Sequence, residues 1–235
     1  MAESKQQMLK PAETSTVLVN DKAAEANTIL VKGNKPYLFT KRLIDITLSI
    51  IGLIFLLPIL IVISILIKVE DSKGKIFFKQ VRVGKDGRHF YMYKFRSMVS
   101  NAEELKKKLL NENEASGPVF KIKNDPRVTK VGRFLRRTSL DELPQLINVL
   151  KGDMSLVGPR PPLPDEVKQY TVLHKQRLSV LPGLTCYWQI SGRSNLGFEE
   201  WMDLDLKYIR ERNIKVDIIL ILKTLTVFLG SKDAY

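Results

Sequence analysis

The stretch RRTSLDELPQLINVLKGDMSLVGPRP, residues 136–161, sets two adjacent carboxylates, Asp141 and Glu142, behind Arg136 and Arg137 and ahead of Pro144. Two chemistries compete for them. The first is structural: Leu143, Leu146, Ile147 and Leu150 follow helical spacing and Gly152 supplies a C-terminal stop, so a carboxylate at the front can cap the helix, a contribution of about 1 kcal/mol. Ser139 with Glu142 would make a capping box but would put Pro144 deep enough in the helix to lose a hydrogen bond. A cap at Asp141 leaves Pro144 in the first turn, where no intrahelical donor is lost. The spacing therefore predicts Asp141 as the N-cap.

The second chemistry comes from the setting. Arg133, Arg136 and Arg137 lie just upstream and Arg160 follows in GPRPP. Free amides at a helix start plus clustered guanidinium groups make a phosphate site. A carboxylate beside bound phosphates acts either as a ligand to a divalent metal or as a nucleophile that forms an acyl phosphate. Neighbouring helical positions point about 100° apart, so the two acids have different tasks and are no glycosidase pair.

Composition narrows the partner. The net charge is +13, and residues 68–137 hold 19 Lys and Arg against 8 Asp and Glu, which is +11 of it. Such a block favours an anionic partner: nucleotide phosphates, nucleic acid or lipid headgroups. Cys186 is the only cysteine, which excludes an intrachain disulfide and a Cys-based zinc site. His89 and His174 lie far apart without metal-ligand spacing.

The elements that must position these residues can be read in order. Residues 1–36 are polar without sustained period and predict a disordered tail with no signal peptide. Residues 37–69 carry an apolar run, with 22 uncharged residues from Ile46 to Ile67, enough to cross a hydrocarbon core of roughly 30 Å. Pro58 sits near its middle, and lysines and arginine flank both sides: Lys35, Lys41 and Arg42 before, Lys68, Lys73, Lys75 and Lys79 after. Proline kinks or breaks a helix, and symmetric basic flanks give the positive-inside rule little to act on. A spanning helix and a re-entrant one that returns to the same face both satisfy the residues.

Residues 70–235 read as one soluble domain. Two β-rich runs flank GKDG and predict a hairpin over 76–83 and 88–95, with Phe90, Met92 and Lys94 on one face. Helices are predicted over 100–114, 131–137, 163–181 and 197–213. The apolar 214–230 is interrupted by Asp217 and Lys223, which suits an interfacial or core helix better than a span. The fold class is α+β, helix-rich, attached to one membrane element.

The apolar segment with Pro58, YKFRSM, SLDELPQLINVLKGDMSLVGPRP, LPGLTCYWQISGRS and DLDLKY together resemble the bacterial sugar transferases, the monotopic phosphoglycosyl transferases that act on polyprenyl phosphate. The likeness covers about residues 37–230 and has the small, catalytic-core form. It implies transfer of a sugar 1-phosphate from a UDP-sugar to polyprenyl phosphate, usually undecaprenyl phosphate. UMP is released, and capsule, exopolysaccharide, O-antigen or glycoprotein assembly begins, continued by downstream glycosyltransferases. Asp141 matches the nucleophile, giving a phosphosugar-aspartyl intermediate. Mg²⁺ is implied next to Asp141, with Glu142 as metal ligand or helper. Lys94, Arg136 and Arg160 match phosphate-contacting positions, and Arg193 and Asp205 match functional positions of less defined role. The alternative for Asp205 is an ion pair with Lys207 or Arg210 on its own helix.

The resemblance also implies a re-entrant, proline-broken helix with both ends on the cytoplasmic face of the bacterial inner membrane, and interfacial helices seating the domain on that leaflet. Many relatives have Ser before the proline where this chain has Leu57, which removes one acceptor-satisfying side chain at the bend. A tethered nucleic-acid binder is the main rival, but acids embedded among the arginines repel nucleic acid, so no nucleic acid is expected. Neither the identity of the sugar nor assembly into a homo-oligomer has a signal in the residues.

Overall fold

The computed structural model describes residues 34–109, 113–114, 122, 124–191 and 196–230. The polar tail expected at 1–36 falls, up to residue 33, outside the described residues. The chain enters through α1 (Lys35–Glu70), started by Asn34, whose side chain accepts a hydrogen bond from the Tyr37 amide at 3.4 Å, with Pro36 in the first turn. Helical backbone continues through Pro58. Around that proline Ile54, Phe55, Leu57, Ile59, Ile61 and Val62 all face outward, Phe55 with 78% of its surface exposed. Among the described residues α1 is the one helix long and apolar enough to cross a membrane.

Strands β1 (Phe77–Val83) and β2 (His89–Phe95) form the expected antiparallel hairpin. Asp86 and Gly87 at its tip both have positive φ, 56° and 77°, as a type I′ turn requires, and this turn's twist matches that of the strands. The register pairs Phe78 with Lys94, Gln80 with Met92 and Arg82 with Phe90, so Arg82 shares the face that carries Lys94. Helix α2 (Ala102–Lys108) falls inside the helix expected over 100–114.

Helix α3 (Lys130–Arg137) is capped by Thr129, whose hydroxyl accepts from the Gly132 amide at 2.9 Å. A short 3-10 turn (Leu140–Glu142) follows, then α4 (Gln145–Lys151), which ends at Gly152 with φ 86° as the sequence foretold. Strand β3 (Ser155–Val157) pairs in parallel with β4 (Gly183–Thr185). This second sheet has no local signal: each strand has three residues, and the partners are brought together only by the intervening chain. A Cβ on Gly183 would lie 2.1 Å from the Gly158 amide nitrogen, so only glycine permits the approach.

Between those strands the single helix expected over 163–181 is instead three pieces: α5 (Pro164–Lys168), α6 (Val172–Lys175) and a 3-10 turn (Gln176–Ser179). Thr171 is the cause, since its hydroxyl accepts from the His174 amide at 3.2 Å and starts a new helix. Helices α7 (Tyr187–Ile190), α8 (Phe198–Glu211) and α9 (Ile214–Gly230) complete the chain. The largest core cluster joins Val157, Val180, Cys186, Leu206, Tyr208, Ile209 and Leu220. Helix α9 buries Leu220 and Asp217 while Ile218, Ile219, Leu222 and Leu225 stay exposed, the amphipathic character its sequence suggested.

Both ends of α1 are fastened to this domain. At its start Arg42 donates to the Val149 and Leu150 carbonyls at 2.6 and 2.8 Å, and Asp45 accepts from the Ser155 hydroxyl and the Leu156 amide at 3.1 and 2.9 Å. At its end Ile63 and Ile67 pack with Phe95 and Leu135, and the Glu70 carboxylate accepts from the Lys130 and Val131 amides at 2.7 and 3.1 Å. Arg96 grips Asp71 at 2.5 Å.

The anchor at the first end is Asp217, which accepts from Tyr37 at 3.0 Å, Lys41 at 2.9 Å and Tyr208 at 2.8 Å. Lys41 is 8% exposed, and removing one partner of a buried pair leaves the other charge uncompensated. Asp217→Ala is therefore expected to destabilise the fold by about 3–5 kcal/mol. Thermal unfolding in detergent checks it, and an unchanged midpoint would show that the anchor contributes nothing.

Candidate functional site

The site is built outward from the chain reversal between α3 and α4. Ser139 adopts left-handed backbone (φ 54°, ψ 18°), and Asp141 and Glu142 ride on the 3-10 turn that follows. This corrects the capping expectation: α4 begins only at Gln145, its cap residue is Pro144, and no side chain caps it. The proline ends the turn and starts the helix, so both carboxylates are released from capping and sit one turn upstream.

Lys94 projects from β2 toward the pair, with its Nζ 2.6 Å from Glu142 Oε1 and 3.9 Å from Asp141 Oδ2. Asp141 is 7% exposed and Glu142 is half-buried. Burial drives the Asp141 carboxyl up to about 6, Lys94 pulling it down and Glu142 pushing it further up. For Glu142 burial also works upward, but Lys94, Arg160 and Arg82 outweigh it and hold the group below the ordinary range. Adjacent acids with opposite shifts are suited to different tasks.

Cationic side chains close the ring. Arg136 donates from Nε to Ser97 Oγ at 2.9 Å. Arg160 lies 3.4 Å from the buried Glu166 and over the Trp201 ring, 5.1 Å from its centroid. Lys94, Arg136, Asp141, Glu142 and Arg160, five of the residues singled out in the sequence, thus line one cavity of about 1160 Å³. The volume exceeds the few hundred cubic ångströms that a drug-sized ligand occupies. Two carboxylates around one cation form the kind of donor set that a hard divalent ion shares with substrate oxygens.

Two expected residues stand elsewhere, and a third lies outside the described residues. Asp205 is fully buried and absent from the cavity wall, and its ion-pair partner is Arg177 rather than Lys207 or Arg210. Arg177 also donates to the Tyr170 hydroxyl at 2.7 Å and to the Arg160 carbonyl at 2.9 Å. Burial raises the Asp205 carboxyl to about 6 against the pull of Arg177. Asp205 therefore bears on the cavity through Arg177 and the backbone of Arg160. Pro58 belongs to the exposed stretch of α1. Arg193 lies outside the described residues.

Arg82 on the cavity wall, and Arg177, which holds the Arg160 backbone from outside that wall, escaped the sequence reading. Arg82 is 6% exposed and donates to the Pro161 carbonyl at 2.9 Å and to Gln80 Oε1 at 2.6 Å, tying the hairpin to the GPRPP segment. Burial lowers it to about 9, with Arg160 adding repulsion, but it remains a cation at neutral pH. Its signal was available, because a two-residue period and the hairpin register place it beside Lys94. Arg177 had none, since only the packing of α8 against the 176–179 turn makes it a buried partner.

The sequence is similar to known proteins. The family profile described as bacterial sugar transferase matches residues 36–231. The chain is 51% identical over 194 residues to the galactosyl transferase CpsE of Streptococcus agalactiae serotype III, covering 82% of this chain and 43% of that protein. It is 44% identical over 205 residues to the undecaprenyl-phosphate galactose phosphotransferase of Salmonella typhimurium, covering 84% and 42%. It is 36% identical over 200 residues to the exopolysaccharide production protein ExoY of Sinorhizobium fredii, covering 83% and 88%. The chain thus spans less than half the length of the first two relatives and most of the third. With a match that runs from the start of α1 to the end of α9, the chain belongs to the bacterial sugar transferase family.

Proposed function

We propose that this chain transfers a sugar 1-phosphate from a UDP-sugar to a polyprenyl phosphate, releasing UMP, on the cytoplasmic leaflet of a bacterial membrane. The observation that carries the reading is the buried Asp141 beside Glu142 and Lys94, ringed by Arg82, Arg136 and Arg160 at the foot of an apolar helix. The undecaprenyl-phosphate and galactose named for the Salmonella relative support that substrate class and make UDP-galactose the first donor to test.

In the first step an Asp141 carboxylate oxygen attacks the sugar-bearing phosphorus. The bond from that phosphorus to the bridging oxygen breaks, and UMP departs with the oxygen and its electron pair, leaving a phosphosugar-aspartyl acyl phosphate. In the second step a phosphate oxygen of the lipid attacks the same phosphorus and the Asp141 carboxylate is regenerated. The product is a polyprenyl diphosphate sugar, which glycosyltransferases would extend. Arg136, Arg160 and Lys94 face the charge that develops on phosphate oxygens, where preorganised cations are most effective. Glu142, kept ionised by Lys94, holds that ammonium beside the nucleophile.

The donor set fits Mg²⁺. Among the described residues no cluster of three acidic, His or Cys ligands exists, and Mg²⁺ is commonly held by one or two carboxylates with substrate phosphates and water completing its shell. Asp141 and Glu142 would supply those carboxylates, and Lys94 already places positive charge between them. When bound, the ion would neutralise charge on the departing UMP.

The attachments of α1 support a re-entrant reading. One domain holds both the start and the end of α1 while the stretch around Pro58 presents only apolar side chains outward. A crossing helix would separate its ends by the whole bilayer. A re-entrant path keeps both at one surface and lets the exposed faces of α1 and α9 meet lipid.

Two experiments test this. UMP release from UDP-galactose in the presence of undecaprenyl phosphate and Mg²⁺ is expected for the native chain, and Asp141→Asn should lower it by about a thousandfold or more. Equal rates would sink the nucleophile assignment, and no release by the native chain with any UDP-sugar would sink the transfer reading. For topology, Cys186 is fully buried and silent to an impermeant maleimide. Single cysteines at the exposed Lys35 and Lys73 should both label from the cytoplasmic side, whereas labelling from opposite sides would rule out re-entry.

A further inference from the structure

Among the described residues two non-glycine positions have positive φ, Asp86 and Ser139. Asp86 is an exposed tip residue of the hairpin, where aspartate is common. Ser139 has no such explanation. At φ 54° and ψ 18° it ends the α3 segment in left-handed backbone, a place usually taken by glycine or asparagine because a Cβ there crowds the next carbonyl. Its main-chain groups are committed to the reversal: the amide donates to the Arg136 carbonyl at 3.1 Å and the carbonyl accepts from the Glu142 amide at 3.2 Å.

The hydroxyl is what remains. It makes no hydrogen bond among the described residues, the residue is half-buried, and it lines the same cavity as Arg136 and Asp141. A serine held against its backbone preference, two positions before the nucleophile candidate, points to use of its side chain. Glycine would serve the turn equally well and lack only that group.

We infer that Ser139 is a substrate-contacting residue whose hydroxyl donates a hydrogen bond to a phosphate oxygen in the cavity. This rests on the transfer reading above. Two sources supply such an oxygen, the diphosphate of the UDP-sugar and the phosphate of the lipid acceptor. On a wall shared with Arg136 and Asp141, the hydroxyl adds a directional contact to a site otherwise dominated by charge.

The test uses the full chain in detergent with Ser139→Gly and Ser139→Ala. Glycine relieves the backbone and alanine preserves its Cβ, but both remove the hydroxyl. Ser139→Gly should unfold at the native temperature or higher. Both variants should lose about tenfold to a hundredfold in kcat/KM, the range of one hydrogen bond to a charged group. Single-turnover UMP release from UDP-galactose without lipid reads the first source, and the KM for undecaprenyl phosphate reads the second. A loss in either arm shared by both variants supports the contact. Native rates in Ser139→Gly, or a loss in only one of the two variants, would assign the effect to backbone and overturn it. Calorimetric binding of UDP keeps the two readings apart: weakened binding in both variants supports the contact even if the native chain releases no UMP, an outcome that would sink only the transfer reading.

Discussion

A helix of 36 residues that is bare of protein around Pro58 yet fastened at both ends to one small domain sets the terms for the rest of the molecule. The apolar middle requires a nonaqueous surrounding, since leaving six large aliphatic and aromatic side chains in water forgoes the burial that drives folding. The fastened ends hold that stretch beside the domain. At the first end charge does the fastening, through Asp217, Arg42 and Asp45; at the second it is packing by Ile63 and Ile67 with a carboxylate cap from Glu70. The same contacts carry the chemistry. Helix α3, capped by Glu70 and packed through Leu135, delivers Arg136 and then Asp141, so the distance of the acids from the apolar surface is set by the helix end itself.

Electrostatics supplies the second constraint. A chain with +13 net charge that concentrates its cations in the middle third must separate or neutralise them in the fold. The structure does so by interleaving. Lys94 takes Glu142, Arg127 takes Asp125, Arg96 takes Asp71 and Arg177 takes Asp205. Arg82 and Arg136 instead spend donors on neutral oxygens of Pro161, Gln80 and Ser97. Their charges therefore stay available in the cavity, where phosphate oxygens can supply the missing anions. A cavity that gathers incompletely neutralised cations around one buried carboxylate is suited to anionic ligands.

Much of this was legible before the structure. The hairpin followed from GKDG between β-rich runs, the stop at Gly152 from helical spacing, and Lys94 from a two-residue period. The acid pair was visible, but its job was misread: local rules made Asp141 a cap, whereas Ser139 in left-handed backbone and Pro144 at the helix start place both acids in a separate turn. Arg82 could have been found by pairing the strands. The break at Thr171 and the three-residue parallel pairing were beyond local pattern, because a cap competes with a continuing helix on equal terms and a short strand is defined by its partner.

The sequence by itself determined the apolar segment, the basic block, the acid pair and the family, because hydropathy, charge and a long contiguous motif are properties of neighbouring residues. Tertiary structure alone decided that Lys94 stands between Asp141 and Glu142, that Asp205 serves Arg177 and through it Arg160, and that both ends of α1 meet one domain. Those facts join residues separated by tens of positions. Which cation reaches which carboxylate depends on burial and register across elements, and no local preference encodes it.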